Sequence, residues 1–105
     1  MRVLVVGLGI QGYKRKHVAG TECIATVDPE NSDADYRHIA DISPAEYEAV
    51  LICVPDEEKI NLIRFCIKNK KHVLVEKPLW GASKAELAEV EALAHEAGIL
   101  IYTAY

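Results

Sequence analysis

Arg2-Val3-Leu4-Val5-Val6-Gly7-Leu8-Gly9-Ile10-Gln11-Gly12 decides the fold. A short β-branched run ends in glycine, as a buried strand does. The glycines then follow at the spacing G-x-G-x-x-G and open a segment, 10–19, that suits a helix between the apolar Ile10 and Val18. The pattern alone is weak, because glycine is common; its context raises it. A second strand is expected over 22–27, and Asp28 closes it, 21 residues beyond Gly7. Strand, glycine turn, helix, strand and acid in that order read as a dinucleotide site. Gly7 allows the tight turn, Gly9 lets the backbone approach a pyrophosphate, and Gly12 permits close helix–strand packing. The helix N-terminus offers free N–H groups and a positive dipole end to the phosphates. Asp28 would accept hydrogen bonds from the adenosine ribose and repel a 2′-phosphate, which favours NAD over NADP.

Outward from this stretch, strands and helices keep alternating. Residues 29–42 are polar and hard to read, with room for a short strand near 37–39. Ser43-Pro44-Ala45-Glu46 reads as a helix start with a capping box. The most apolar run, 49–54, is a central strand ended by Pro55. Asp56 then caps a helix to about residue 69, with Glu57 and Glu58 in its first turn and Lys68 and Lys70 in its last. A strand follows over 72–75. Ser83 and Glu86 form a second capping box, opening a helix with Leu87, Val90 and Leu93 on one face and Gly98 at its end. A last strand covers 99–103. Such alternation means βαβ crossovers: an α/β, Rossmann-type doubly wound, mostly parallel sheet with helices on both faces. Near-continuous apolar strands agree, since parallel strands are buried on both sides.

The chain of 105 residues fits one domain, 1–105, and leaves no room for two. Half the residues are hydrophobic and 27% charged, an ordinary globular balance. A net charge of −4 argues against nucleic-acid or anionic-membrane partners. The basic clusters Lys14-Arg15-Lys16 and Lys68 to Lys71 read as solvated helix faces. Cys23, Cys53 and Cys66 have no metal-ligand spacing and read as reduced core residues, consistent with a cytoplasmic protein. The four histidines are scattered and read as structural or solvent-facing. The run from Val3 to Ile10 is interrupted by glycines and lacks a signal-peptide cleavage site, and no run approaches the roughly 20 apolar residues of a membrane span.

A second motif ends the 72–75 strand: His72-Val73-Leu74-Val75-Glu76-Lys77-Pro78-Leu79. Ligands bind at the C-terminal edge of doubly wound sheets, and a lysine there could donate a hydrogen bond or a proton to a substrate oxygen. By spacing alone it reads equally as a surface Glu-Lys pair before a turn. Taken together, the glycine loop, Asp28, Val54-Pro55 and Lys71 to Leu79 resemble the N-terminal domain of the Gfo/Idh/MocA oxidoreductases, the glucose–fructose oxidoreductase and inositol dehydrogenase relatives. The resemblance implies hydride transfer between NAD(P) and a hydroxyl carbon of a sugar, cyclitol or related polyol. It implies a cofactor site built from Gly7, Leu8, Gly9, Ile10, Gln11, Gly12, Asp28, Val54, Pro55, Glu76 and Lys77, with Lys77 catalytic, positioning and polarising the substrate hydroxyl. It also implies that Glu76 and Pro78 shape the loop, with a cis Lys77–Pro78 bond.

Two departures stand out. The family commonly has Asn-x-x-His after the proline of the central strand, where this chain has Asp56-Glu57-Glu58-Lys59. Family enzymes also continue into an α+β substrate domain, and this sequence stops at Tyr105, where the crossover to it would begin. The expectation is therefore the cofactor half of a dehydrogenase, inactive alone and prone to self-association through the face that would meet the second domain. The competing reading is a stand-alone nucleotide sensor or assembly module without catalysis.

Overall fold

In the computed structural model, which describes residues 1–76 and 83–104, the chain forms a five-stranded parallel sheet. The strands are β1 (Val3–Val6), β2 (Cys23–Val27), β3 (Ala49–Ile52), β4 (His72–Glu76) and β5 (Ile101–Ala104), and the helices are α1 (Ile10–Ala19), α2 (Asp56–Lys68) and α3 (Lys84–Ala97). Strand order is β2-β1-β3-β4-β5. The chain thus moves one way from β1 to β2 and the other way from β3 to β5. Right-handed crossovers then place α1 on one face and α2 and α3 on the other, with the switch point between β1 and β3.

Alternation along the strands divides the core accordingly. Leu4, Val6, Val50, Ile52, Val73 and Val75 pack with Ile63, Cys66 and Ile67 of α2 and Val90 and Ala94 of α3. Val3 and Val5 are equally buried but lie outside that cluster, on the α1 side. On the α1 face, helix and sheet approach so closely that a Cβ on Gly12 would sit 1.8 Å from the Gly7 carbonyl oxygen.

Several local expectations are corrected. The short strand near 37–39 shrinks to a single parallel bridge, Tyr36 to Val27, followed by a 3-10 turn over Ile39–Asp41. Ser43 to Glu46 forms one 3-10 turn, Pro44–Glu46, without a side-chain cap. The chain must already be extended at Tyr47 (φ −140°, ψ 158°) to enter β3, so no helix can grow there. Asp56 does not cap α2; Pro55 holds the cap position, and the Asp56 carboxylate is bonded to Lys59 instead. Leu93 points outward at 38% exposed, and Val90 and Ala94 form the buried stripe. The strand expected over 49–54 ends at Ile52, which leaves Cys53-Val54-Pro55 as a loop at the sheet edge. The Ser83–Glu86 capping box is present with both of its hydrogen bonds, each 3.1 Å.

Neither basic cluster is wholly solvated. Lys71 donates to the Pro44 and Tyr47 carbonyls, the latter at 2.7 Å, and its ammonium lies 5.0 Å from the centre of the Tyr47 ring. Tyr47 is 1% exposed, and its hydroxyl has no partner among the described residues. Burial pushes that phenol up to about 12. A buried hydroxyl without a partner is a net cost. Tyr47→Phe is therefore expected to leave stability unchanged or raise it by up to about 1 kcal/mol. Urea denaturation checks this, and a loss of stability would show that the hydroxyl is satisfied.

Candidate nucleotide-binding site

At the switch point, beyond the C-terminal ends of β1 and β3, the chain leaves a cleft of about 840 Å³. Gly7 to Gln11, Asp28 to Asn31, Cys53 to Pro55, Glu57 and Glu58 line it. Eight of the residues expected from sequence meet in this one place: Gly7, Leu8, Gly9, Ile10, Gln11, Asp28, Val54 and Pro55. A separate cavity of about 600 Å³, beside Arg2, Ile24, Asp35 and Glu46, holds none of the motif residues.

The three glycines of the motif have distinct roles. Gly7 has φ +97°, and a Cβ there would lie 2.5 Å from the Cys53 carbonyl oxygen; this pins the loop against the end of β3. Gly12 lies beneath the loop and lets α1 close on Gly7. Gly9 is different. It caps α1 in an extended conformation, and a Cβ on it would meet nothing within 4 Å. The backbone at Gly9 is therefore bare toward the cleft, beside the free N–H groups that begin the helix. This is the arrangement a pyrophosphate needs, and the cleft falls in the size range of small-molecule sites.

Asp28 holds the other wall. One carboxylate oxygen accepts from the Leu8 amide at 2.7 Å, and the other accepts from the Glu30 and Asn31 amides at 2.8 and 3.0 Å. Partial burial acts to raise the Asp28 pKa, but these three N–H groups outweigh it and hold it below the ordinary carboxylate value. Asn31 completes the link. Its side-chain amide donates to the Leu8 carbonyl at 2.9 Å and to the Tyr13 hydroxyl at 3.0 Å, and Tyr13 in turn donates to Asp33. The segment after β2 is thereby latched to the glycine loop. Asn31 lay in the stretch whose polarity hid any pattern, and nothing in the sequence marked it.

Glu76 and Lys59 lie near Cys53, outside the lining of the cleft. The Glu76 carboxylate pairs with Arg15 of α1, accepting from Nε at 2.8 Å and also from Nη2. Arg15 is thus part of the site's frame, contrary to its reading as a solvated charge. Lys59 is 4% exposed and donates to Asp56 at 2.7 Å and to the Glu76 carbonyl at 2.8 Å. The lysine that departs from the family's Asn-x-x-His pattern therefore ties the start of α2 to the end of β4. Cys53 sits between these groups; burial first, and the Glu76 charge second, push its thiol up to about 11, so it stays neutral. Glu76 itself does not line the cleft. Lys77 and Pro78 lie outside the described residues. Among the described residues there is no cluster of metal-ligating side chains, and no helix is long and apolar enough to cross a membrane.

Solved structures share this architecture. A probable dehydrogenase from Thermotoga maritima is 25% identical with a TM-score of 0.77, over 98% of this chain and 35% of its own. UDP-N-acetylglucosamine 3-dehydrogenase GnnA from Acidithiobacillus ferrooxidans is 21% identical with a TM-score of 0.84, over 98% and 37%. The WlbA dehydrogenase from Thermus thermophilus, in complex with NAD and α-ketoglutarate, is 20% identical with a TM-score of 0.83, over 99% and 41%. The chain spans little more than a third of the length of these structures. The family described as "Oxidoreductase family, NAD-binding Rossmann fold" (GFO_IDH_MocA) matches residues 1–105. With that match and a glycine-loop cleft at the switch point, this chain belongs to the Gfo/Idh/MocA oxidoreductase family, as an NAD-binding Rossmann domain.

Proposed function

We propose that this chain supplies the cofactor half of a dehydrogenase that moves hydride between NAD and a hydroxyl carbon of a sugar, cyclitol or related polyol. The observation that carries the reading is the bare backbone at Gly9, facing a cleft whose opposite wall is Asp28. In the assembled site, Gly9 and the start of α1 receive the pyrophosphate. Asp28 receives the adenosine ribose, and Val54 and Pro55 pack against the cofactor. The nicotinamide supplies the hydride chemistry. Lys77 orients and polarises the substrate hydroxyl; it follows Glu76 in sequence, whose carboxylate Arg15 holds and whose carbonyl Lys59 holds. The preference for NAD over NADP rests on charge. A 2′-phosphate beside Asp28 would meet a carboxylate held ionised by three amides.

Substrate contacts are assigned to a second domain, as the resemblance to the family implies. The β5 edge, where Leu100 and Tyr102 stand 54% and 60% exposed, is a candidate surface for docking it or for self-association. The test is calorimetric titration of the chain with NADH and NADPH up to millimolar ligand. Saturable NADH binding with weaker NADPH binding is expected. No heat with either cofactor from a folded sample would overturn the reading.

A further inference from the structure

Asp28, Glu30, Glu57 and Glu58 all line the cleft, and among the described residues no lysine, arginine or histidine does. This is an unusual wall for a ligand whose own phosphates are negative. We propose that the cleft discriminates between the two redox states of its cofactor, holding oxidised NAD more tightly than NADH. The inference rests on the cleft being the dinucleotide site, and it concerns which form of that ligand the charges favour.

The two forms share the same adenosine, pyrophosphate and ribose rings. Everything that the glycine loop and the N-terminus of α1 contribute through N–H groups therefore cancels in the comparison. What remains is the pyridinium charge, which the oxidised ring carries and the reduced ring lacks. A cleft lined by one sign of charge focuses its field into the space between its walls. Lys59 does not offset it, because its ammonium is spent on Asp56 and the Glu76 carbonyl. Arg37 lines an adjoining cavity together with Asp28 and Glu30, and with it and Lys77 both counted the acidic residues of the lining still outnumber the cations by four to two.

Glu30, Glu57 and Glu58 are solvent-exposed, so each acts through water and is screened by salt. At separations of about 8–15 Å in low salt, each carboxylate is worth a factor of roughly 1.3 to 2 for a unit charge. Together these three favour the oxidised form by roughly two- to eightfold. Hydride uptake then converts a well-held ligand into a poorly held one. Reduced cofactor is the form released, which suits a site that oxidises its substrate.

The experiment is calorimetric titration with NAD and with NADH, in about 10 mM and about 1 M sodium chloride, where the screening length falls from about 30 to about 3 Å. The same titrations are run on a Glu57→Gln/Glu58→Gln variant, whose lost carboxylates make no side-chain hydrogen bond among the described residues. NAD is expected to bind roughly two- to eightfold more tightly than NADH in low salt, with the ratio collapsing toward one in high salt. The double variant should lower the low-salt ratio by about twofold or more. NADH binding as tightly as NAD in low salt, or a ratio indifferent to salt and to the double variant, would overturn the proposal while leaving the nucleotide site intact. Failure of both forms to bind would overturn the site assignment and this proposal with it.

Discussion

Gly9→Ala is expected to melt at essentially the wild-type temperature and to lose NADH binding, whereas Gly12→Ala is expected to be severely destabilised. The two substitutions add the same methyl group three residues apart. At Gly12 the new Cβ would stand 1.8 Å from the Gly7 carbonyl oxygen and 2.8 Å from its carbon. Both are backbone atoms of a loop that Gly7, at φ +97°, holds against Cys53, so neither side can yield without moving α1 off the sheet. Overpacking of this kind costs about 3 kcal/mol or more, a large share of the stability of so small a domain. At Gly9 the added Cβ meets nothing within 4 Å, and the residue is extended, which alanine adopts freely. Alanine caps a helix less well than glycine, but the stiffer unfolded chain offsets that loss, and the net change stays within about 0.5 kcal/mol. The methyl would project into the cleft where the pyrophosphate is placed. Thermal denaturation and NADH titration of both variants decide the matter. Undiminished binding by Gly9→Ala would remove the cofactor from this cleft, and a normally folded Gly12→Ala would contradict the helix–sheet contact.

Features carried by local chemistry were legible in the sequence. The apolar runs that became β1, β3 and β4, the glycine turn and the Ser83–Glu86 box each depend on neighbours within about four residues. Errors arose where a distant residue competed. Ser43 and Glu46 have the same spacing as Ser83 and Glu86, yet only the latter pair opens a helix, because Tyr47 is drawn into the core one residue later. Asp56 has a capping residue's chemistry, but a buried lysine three residues on takes its carboxylate. Arg15 and Lys59 were the costliest to miss. Sequence gives their charge but not their neighbours, and a charge on a helix is usually solvated. Both are instead drawn inward to the end of β4, across 61 and 17 residues. The resemblance to the family named eight of the residues that line the cleft; it gave no warning that Asn31 would latch the segment after β2 to the glycine loop.

That latch changes what an Asp28→Ala experiment can mean. The obvious expectation is loss of NADH binding through loss of the ribose contact, but Asp28 also accepts from the amides of Leu8, Glu30 and Asn31. Alanine leaves three N–H groups without their acceptor and unties the glycine loop, so binding would fall even if the carboxylate never touched a ribose. The ratio of NADPH to NADH dissociation constants separates the two effects. A loosened loop weakens both cofactors alike and cancels. The ribose contact and the repulsion of a 2′-phosphate act on them in opposite directions. Hydrogen bonds to a charged group are worth about 1.5–3 kcal/mol, or roughly ten- to a hundredfold in affinity. NADH binding to Asp28→Ala is expected to weaken by at least that factor, NADPH binding by less, and the ratio to fall by roughly tenfold or more. The preference should also fade in acid for the wild type. Because Asp28 is held below the ordinary carboxylate value, the interaction is fully present above that value and is lost only as the pH drops through the depressed one. An unchanged ratio in Asp28→Ala, with both affinities reduced together, would make Asp28 a strut of the glycine loop and leave the choice between NAD and NADP to other residues.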